Sequence, residues 1–208
     1  MGRQIDKAAR ADQVADAALA LFLDNPRDAV TFEAIAERAG LNYWQVYRFH
    51  GNAKTLFRAA VSRLIQRIEA ELRAAPSDAP SVSEGVRRYT AYVADIMRGE
   101  AYAQFAYLLI RDRCVEPLLE EAYEGRIARA LRDGLEKIVR NAGLKHGLII
   151  LLGTAATREF VKSLEAEFVL PKLLPGFVAP DAETENAAVR RIADRTVAAS
   201  YVLGAEAA

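Results

Sequence analysis

Apolar residues recur at three- and four-residue intervals along almost the whole chain, and no stretch sustains the polar/apolar alternation of a half-buried strand. Such spacing stacks apolar side chains along one face of a helix, so the pattern predicts an all-α fold. Val14, Ala17, Ala18, Leu21 and Phe22 mark a first helix, which Asn25-Pro26 ends. Thr31 stands where an N-cap belongs, and Phe32, Ile35, Ala36 and Ala39 form the stripe of a short second helix closed by Gly40. Asn42 can cap a third helix, Gln45 three residues later completes a capping box, and Gly51-Asn52 breaks the helix after Phe49. A long fourth helix follows, with Phe57, Ala60, Val61, Leu64, Ile68 and Leu72 on one face.

Pro76-Ser77-Asp78-Ala79-Pro80 is rich in turn formers and empty of large apolar residues. It divides the chain into a head of residues 1–52, a connecting helix of 53–75 and a helical body of 76–208. Body helices are expected at 81–98, 101–111, 117–143, 145–169 and 184–203, about nine in the whole chain. The longest apolar run, residues 147–156, falls short of the roughly 18 residues of a membrane span and reads as part of a buried helix.

Basic and acidic residues balance at 28 each, so the total charge says nothing about partners. Their distribution does. No acid occurs between Arg38 and Ile68, where Arg38, Arg48, Lys54, Arg58, Arg63 and Arg67 are all basic. A one-sign stretch suits a polyanion; a solvated face is the alternative. No constellation for catalysis stands out. His50 and His146 are the only histidines, neither has cysteine or carboxylate at metal-ligand spacing, and no phosphate-binding glycine loop is present. The chain is therefore expected to be no enzyme and to use no metal or cofactor. Cys114, the single cysteine, can form no internal disulfide and reads as a small packed hydrophobe. With mixed charges at the N-terminus and no span, the expected location is the cytoplasm, away from membranes.

Two short helices joined by Ala39-Gly40-Leu41, after a packed first helix and before a longer fourth, have the layout of a helix-turn-helix. The second of the pair must be short, because its N-terminal turn enters the major groove. Tyr43, Trp44, Gln45 and Arg48 would face outward on it, and Leu41, Val46 and Phe49 inward.

The stretch TFEAIAERAGLNYWQVYRF followed by HGNAKTLF resembles the TetR repressor family. The likeness rests on the threonine opening helix two, the Ile35-Ala36 and Ala39-Gly40 pairs, Tyr47 and Leu56, within a motif of about a quarter of the chain. It departs from the family's usual pattern in Trp44, in the order Phe49-His50, and in Ala53, where a lysine is common and Lys54 follows one place later.

The resemblance implies phosphate contacts from Thr31, Tyr47 and Lys54, and base or backbone contacts from Asn42, Tyr43, Trp44, Gln45, Arg48 and His50. Alternatives stand beside these roles. Thr31 can be a cap, Gln45 can be spent on the capping box, Trp44 can pack on helix one, and His50 can be a solvated turn residue. Arg3, Lys7 and Arg10 read either as an arm toward the minor groove or as a terminus without fixed structure.

One helix-turn-helix covers half a site, so two copies on a palindromic operator are expected. By resemblance, the last two helices would pair with their copies through Leu148, Leu152, Ala155 and Phe160 and through Val189, Ile192, Ala193, Thr196, Val197 and Ser200. An internal core is the other reading of these stripes. Tyr89, Tyr92, Met97, Tyr102, Phe105, Tyr107 and Tyr123 suggest a mostly apolar pocket with a few orienting hydroxyls, for an unidentified small-molecule effector. The implied function is a repressor that lets go of operator DNA when the effector binds; the rival is a helical carrier or adaptor that binds no DNA.

Overall fold

A computed structural model describes residues 2–147 and 149–203. In order, the helices are α1 (Gly2–Asp24), α2 (Phe32–Ala39), α3 (Tyr43–His50), α4 (Ala53–Arg73), α5 (Val82–Arg98) and α6 (Glu100–Asp112), then α7 (residues 118–144), α8 (Thr154–Phe168) and α9 (Ala182–Ala198). Within α7, Leu118–Ala122 and Arg129–Leu144 are α-helical and Tyr123–Ala128 is a π-helical turn, with helical backbone at both junctions. Counted so, the described residues hold nine helices, and the all-α expectation is met. None of the helices is long and apolar enough to cross a membrane. Because α1 already begins at Gly2, the segment carrying Arg10 is helical and forms no extended arm; the side chains of Arg3 and Lys7 lie outside those described.

Two expected helices, 145–169 and 184–203, are replaced in part. Ile149–Leu152 (β1) pairs antiparallel with Ser200–Leu203 (β2), Ile149 opposite Leu203 and Leu152 opposite Ser200. Gly147, with φ of 69°, adopts a left-handed conformation that ends α7's run, and Gly153 caps α8 in an extended conformation. Five branched apolar residues between two glycines satisfy strand and helix patterns alike, so periodicity alone could not separate them.

The chain forms two compact units, Met1–Arg67 with Tyr107–Glu120, and Ile68–Ala106 with Glu121–Ala208. The division does not follow the Pro76–Pro80 turn; α4 contributes to both units, and the end of α6 with the start of α7 belongs with the head.

In the first unit α1 packs on α2 and α2 on α3, around Val14, Ala18, Phe22, Ile35, Val46 and Phe57. Phe22 meets Phe57 edge-on at 5.0 Å, and Gln13 Nε2 donates to the Ala39 carbonyl at 2.8 Å, tying α1 to the end of α2. Glu116 is fully buried here. Its Oε1 accepts from Arg58 Nη2 at 2.8 Å and its Oε2 from Arg27 Nη1 at 3.3 Å, while the Arg27 guanidinium lies 4.8 Å from the Phe57 ring centre. Burial works against the Glu116 charge, but the hydrogen bonds from Arg58 and the two guanidinium charges outweigh it and hold the carboxyl below the usual range.

In the second unit α7, α8 and α9 all pack on α5. Tyr89 is fully buried, stacked on Phe160 at 6.0 Å, and its hydroxyl donates to the Leu131 carbonyl at 2.8 Å. That hydroxyl runs so close to Gly134 that a Cβ there would collide with it, which is why α7 carries glycine at this point. Phe160, Val189, Ile192, Ala193 and Thr196, read as contacts for a second copy, are instead buried in this unit's own core. The α9 stripe faces α5 of the same chain, and a side chain already enclosed there has no surface left for a partner. Of the rest of that set, Leu152, Val197 and Ser200 are half-buried, Ala155 is exposed, and Leu148 lies outside the described residues.

Candidate nucleic-acid interface

The turn between α2 and α3 is built as its residues dictate. Thr31 Oγ1 accepts from the Ala34 amide at 3.2 Å and starts α2, which leaves the hydroxyl proton available to a donor role. Gly40, at φ of 63°, closes α2 in the left-handed conformation that glycine adopts without strain. Asn42 Oδ1 then accepts from the Gln45 amide at 2.9 Å, and Gln45 Oε1 accepts from the Asn42 amide at 3.0 Å. This closed capping box fixes where α3 begins and so which side chains it presents.

Those side chains are aromatic. Trp44 is 73% exposed and Tyr47 46% exposed, so Trp44 does not pack on α1. Tyr43 and Tyr47, one turn apart, stack at 6.2 Å, Trp44 meets Tyr43 edge-on at 5.5 Å, and Phe32 from α2 supports both tyrosines. Val46, on the opposite face, is fully buried and anchors α3 to the head. Exposing large rings on a short helix carries a solvation cost that packing does not explain, and such faces belong to binding surfaces.

Of the basic residues between Arg38 and Ile68, some are committed within the chain. Arg58 binds Glu116, and Arg63 binds Asp16 and Asp12, each at 2.7 Å. The acids come from elsewhere in the sequence, which is why an acid-free stretch overstates the charge left for a ligand. Arg38, Arg48 and Lys54 are exposed and form no ion pair among the described residues. Asn52 Oδ1 accepts from the Thr55 amide at 2.9 Å and caps α4, placing Lys54 in its first turn.

Three of the expected DNA contacts take other roles. Gln45 reads adenine only by using its carbonyl oxygen and amide nitrogen together, and the oxygen is spent on the capping box, as is the Asn42 oxygen. His50 turns inward toward the Ala11 backbone; its Nε2 is buried without a hydrogen-bond partner, and burial lowers its basicity. Phe49 is half-buried, so the reversed Phe49-His50 order places both rings at the edge of the head.

The expected pocket residues scatter. Tyr89, Met97, Phe105 and Tyr102 are buried, Tyr92 donates to the Glu71 carbonyl at 2.9 Å, and Tyr107 belongs to the first unit, under the Arg111 guanidinium. Only Tyr102 and Tyr123 converge on a common group. Their hydroxyls both donate to Glu165 Oε1, at 3.0 and 2.7 Å. Glu165 escaped the sequence reading, although its place was visible: it follows Val161 by four residues and precedes Phe168 by three, on α8's apolar stripe. Glu116 escaped it too, with no local pattern to mark it.

No family model and no curated protein matches this chain. Solved structures do. A crystal structure from Mesorhizobium loti, assigned to the TetR family of transcriptional regulators, has a TM-score of 0.74 at 19% identity, covering 93% of this chain and 98% of its own. A TetR-family regulator from Streptomyces coelicolor has a TM-score of 0.64 at 20% identity, covering 92% and 82%. The flavonoid-responsive regulator FrrA has a TM-score of 0.64 at 21% identity, covering 92% and 94%.

Proposed function

We propose, from the premise that this chain has the fold of the TetR-family transcriptional regulators, that it binds a palindromic operator as a homodimer and releases it when a small molecule enters the second unit. The observation that carries this reading is α3: a capped, short helix with Trp44 and Tyr47 exposed beside a half-buried Tyr43, and with Arg38, Arg48 and Lys54 exposed and without an ion pair among the described residues. In the major groove, Thr31, Tyr47 and Lys54 would hold phosphates while Trp44 and Arg48 meet base edges, Trp44 through thymine methyls and Arg48 through guanine. Two such helices are needed for one site, which requires the dimer. Effector response is supported by the convergent tyrosines of the second unit and by the fold shared with a regulator described as flavonoid-responsive. A ligand favouring a conformation with displaced heads would relieve repression.

The test is selection of duplexes from a random library by the full-length protein, followed by titration of the winner at two salt concentrations. A palindrome whose affinity falls steeply with salt is expected. Tyr47→Phe should weaken binding to all duplexes alike, by roughly three- to tenfold, whereas Trp44→Ala or Arg48→Ala should change which duplex is preferred. Failure to enrich any sequence would favour a carrier that binds no DNA.

A further inference from the structure

Glu165 has an unusual setting for a carboxylate. It is half-buried on α8 between Tyr102 of α6 and Tyr123 of α7, all in the second unit. Both hydroxyls converge on Oε1, while Oε2 accepts no hydrogen bond from the described residues, and Glu165 forms no ion pair among them. The charged groups nearest in influence do not help. Glu124 on α7 repels it, and Arg132 is turned to Glu124 at 3.9 Å. A second feature meets at the same point: Tyr123 is the first residue of the π-helical turn in α7, which Arg126 fixes through Glu69, Nε to Oε1 at 2.9 Å and Nη2 to Oε2 at 2.5 Å. A π-turn sacrifices hydrogen-bond geometry to re-aim side chains, and such turns concentrate at functional sites.

We propose that Glu165, held by the Tyr102 and Tyr123 hydroxyls, recognises the ammonium group of a small cationic, aromatic effector. This rests on the ligand-responsive reading above and names the chemistry of the molecule it requires. The Oε2 atom supplies an acceptor for an N–H donor, the ligand's charge supplies the partner that the chain withholds, and the half-buried Tyr123 ring favours a cation and an apolar ring beside it. Burial already pushes the Glu165 carboxyl above the ordinary range, with the Tyr123 and Tyr102 hydrogen bonds working against that, so an arriving cation gains by stabilising the ionised form.

Three probes that share a benzene ring and differ in charge separate the possibilities: 2-phenylethylammonium, 2-phenylethanol and 3-phenylpropionate, titrated calorimetrically into the full-length protein. The ammonium should bind about tenfold more tightly than the alcohol, and the carboxylate should not bind. Glu165→Gln should erase the preference while keeping the circular dichroism and cooperative thermal transition of a folded protein, and Tyr123→Phe should reduce it. Equal binding of the three probes, no binding of any, or a preference that survives in Glu165→Gln overturns the proposal. Release of the selected duplex is measured separately by anisotropy. Ammonium binding without release sinks the regulator reading and leaves the site standing, whereas release without charge preference does the reverse.

Discussion

The two units each withdraw a carboxylate from water, one fully and one in part, and they treat it in opposite ways. Glu116 in the first unit is fully enclosed, with one oxygen on Arg58 and the other on Arg27, and its charge is held below the ordinary carboxylate range. Glu165 in the second unit is half-buried, held by two tyrosine hydroxyls on one oxygen, without a cation, and raised above that range. Removal from water penalises both. The first carboxylate has its compensation built in and is finished as a structural element, joining the turn after α1, α4 and the start of α7 within the head's unit. The second keeps one oxygen without a partner among the described residues and a charge that no cation of the chain answers, which leaves both open to a ligand. Burial of an acid therefore does not distinguish structure from function; what answers its charge does.

The sharpest way to break this contrast is Glu116→Gln. The variant leaves Arg27 and Arg58 facing an amide, and loss of one partner from a buried cluster costs about 3 kcal/mol. Denaturant unfolding should show that loss at neutral pH. Because the folded-state carboxyl is depressed, its contribution is present above the ordinary carboxylate range and lost as pH falls through the depressed value, so the gap between wild type and variant should close in acid. A gap that stays constant with pH would mean the charge does no stabilising there.

A smaller effect probes how the two arginines share the load. Arg27→Ala and Arg58→Ala should each cost about 1 kcal/mol, since the other guanidinium still answers Glu116. The double variant should cost more than the sum, because only then is a buried carboxylate left alone. Additive losses would show that Glu116 is less enclosed than its burial indicates.

Most of the fold was legible because caps and breakers are local. Thr31, Gly40, the Asn42 and Gln45 box and Gly51 each act on residues within four positions, and each stands where its type predicts. The exposed Trp44 and Arg48 followed from the same helical arithmetic, whereas Tyr43 and Gln45, placed outward by it, are half-buried. What could not be read was anything joining distant segments. Glu116 meets Arg58 across 58 positions and Arg27 across 89, and Tyr102 meets Glu165 across 63. The stripe from Val189 to Thr196 misled for a related reason: an apolar face states that a helix is covered, and whether by its own chain or by a copy is a fact of tertiary packing. The Gln45 side chain was legible in both its roles, and the capping box won because its partner amide is three residues away and always present.

The smallest prediction is also the one with the opposite sign. A folded-state carboxyl raised above its unfolded value binds more protons in the native protein, so stability falls as pH rises through that window. Glu165 thus costs the protein stability at neutral pH, and the cost disappears on acidification to the ordinary carboxylate range. Glu165→Gln keeps an oxygen for the Tyr102 and Tyr123 hydroxyls and removes the unanswered charge. It should stabilise the protein by about 0.5 kcal/mol at neutral pH, with the gain vanishing in acid, as read by denaturant midpoints at the two pH values. A loss as large as that of Glu116→Gln would mean that an unseen cation answers Glu165 and that the two carboxylates are alike. A gain would mean that the chain holds this charge at its own expense, which a protein retains only where the charge is used.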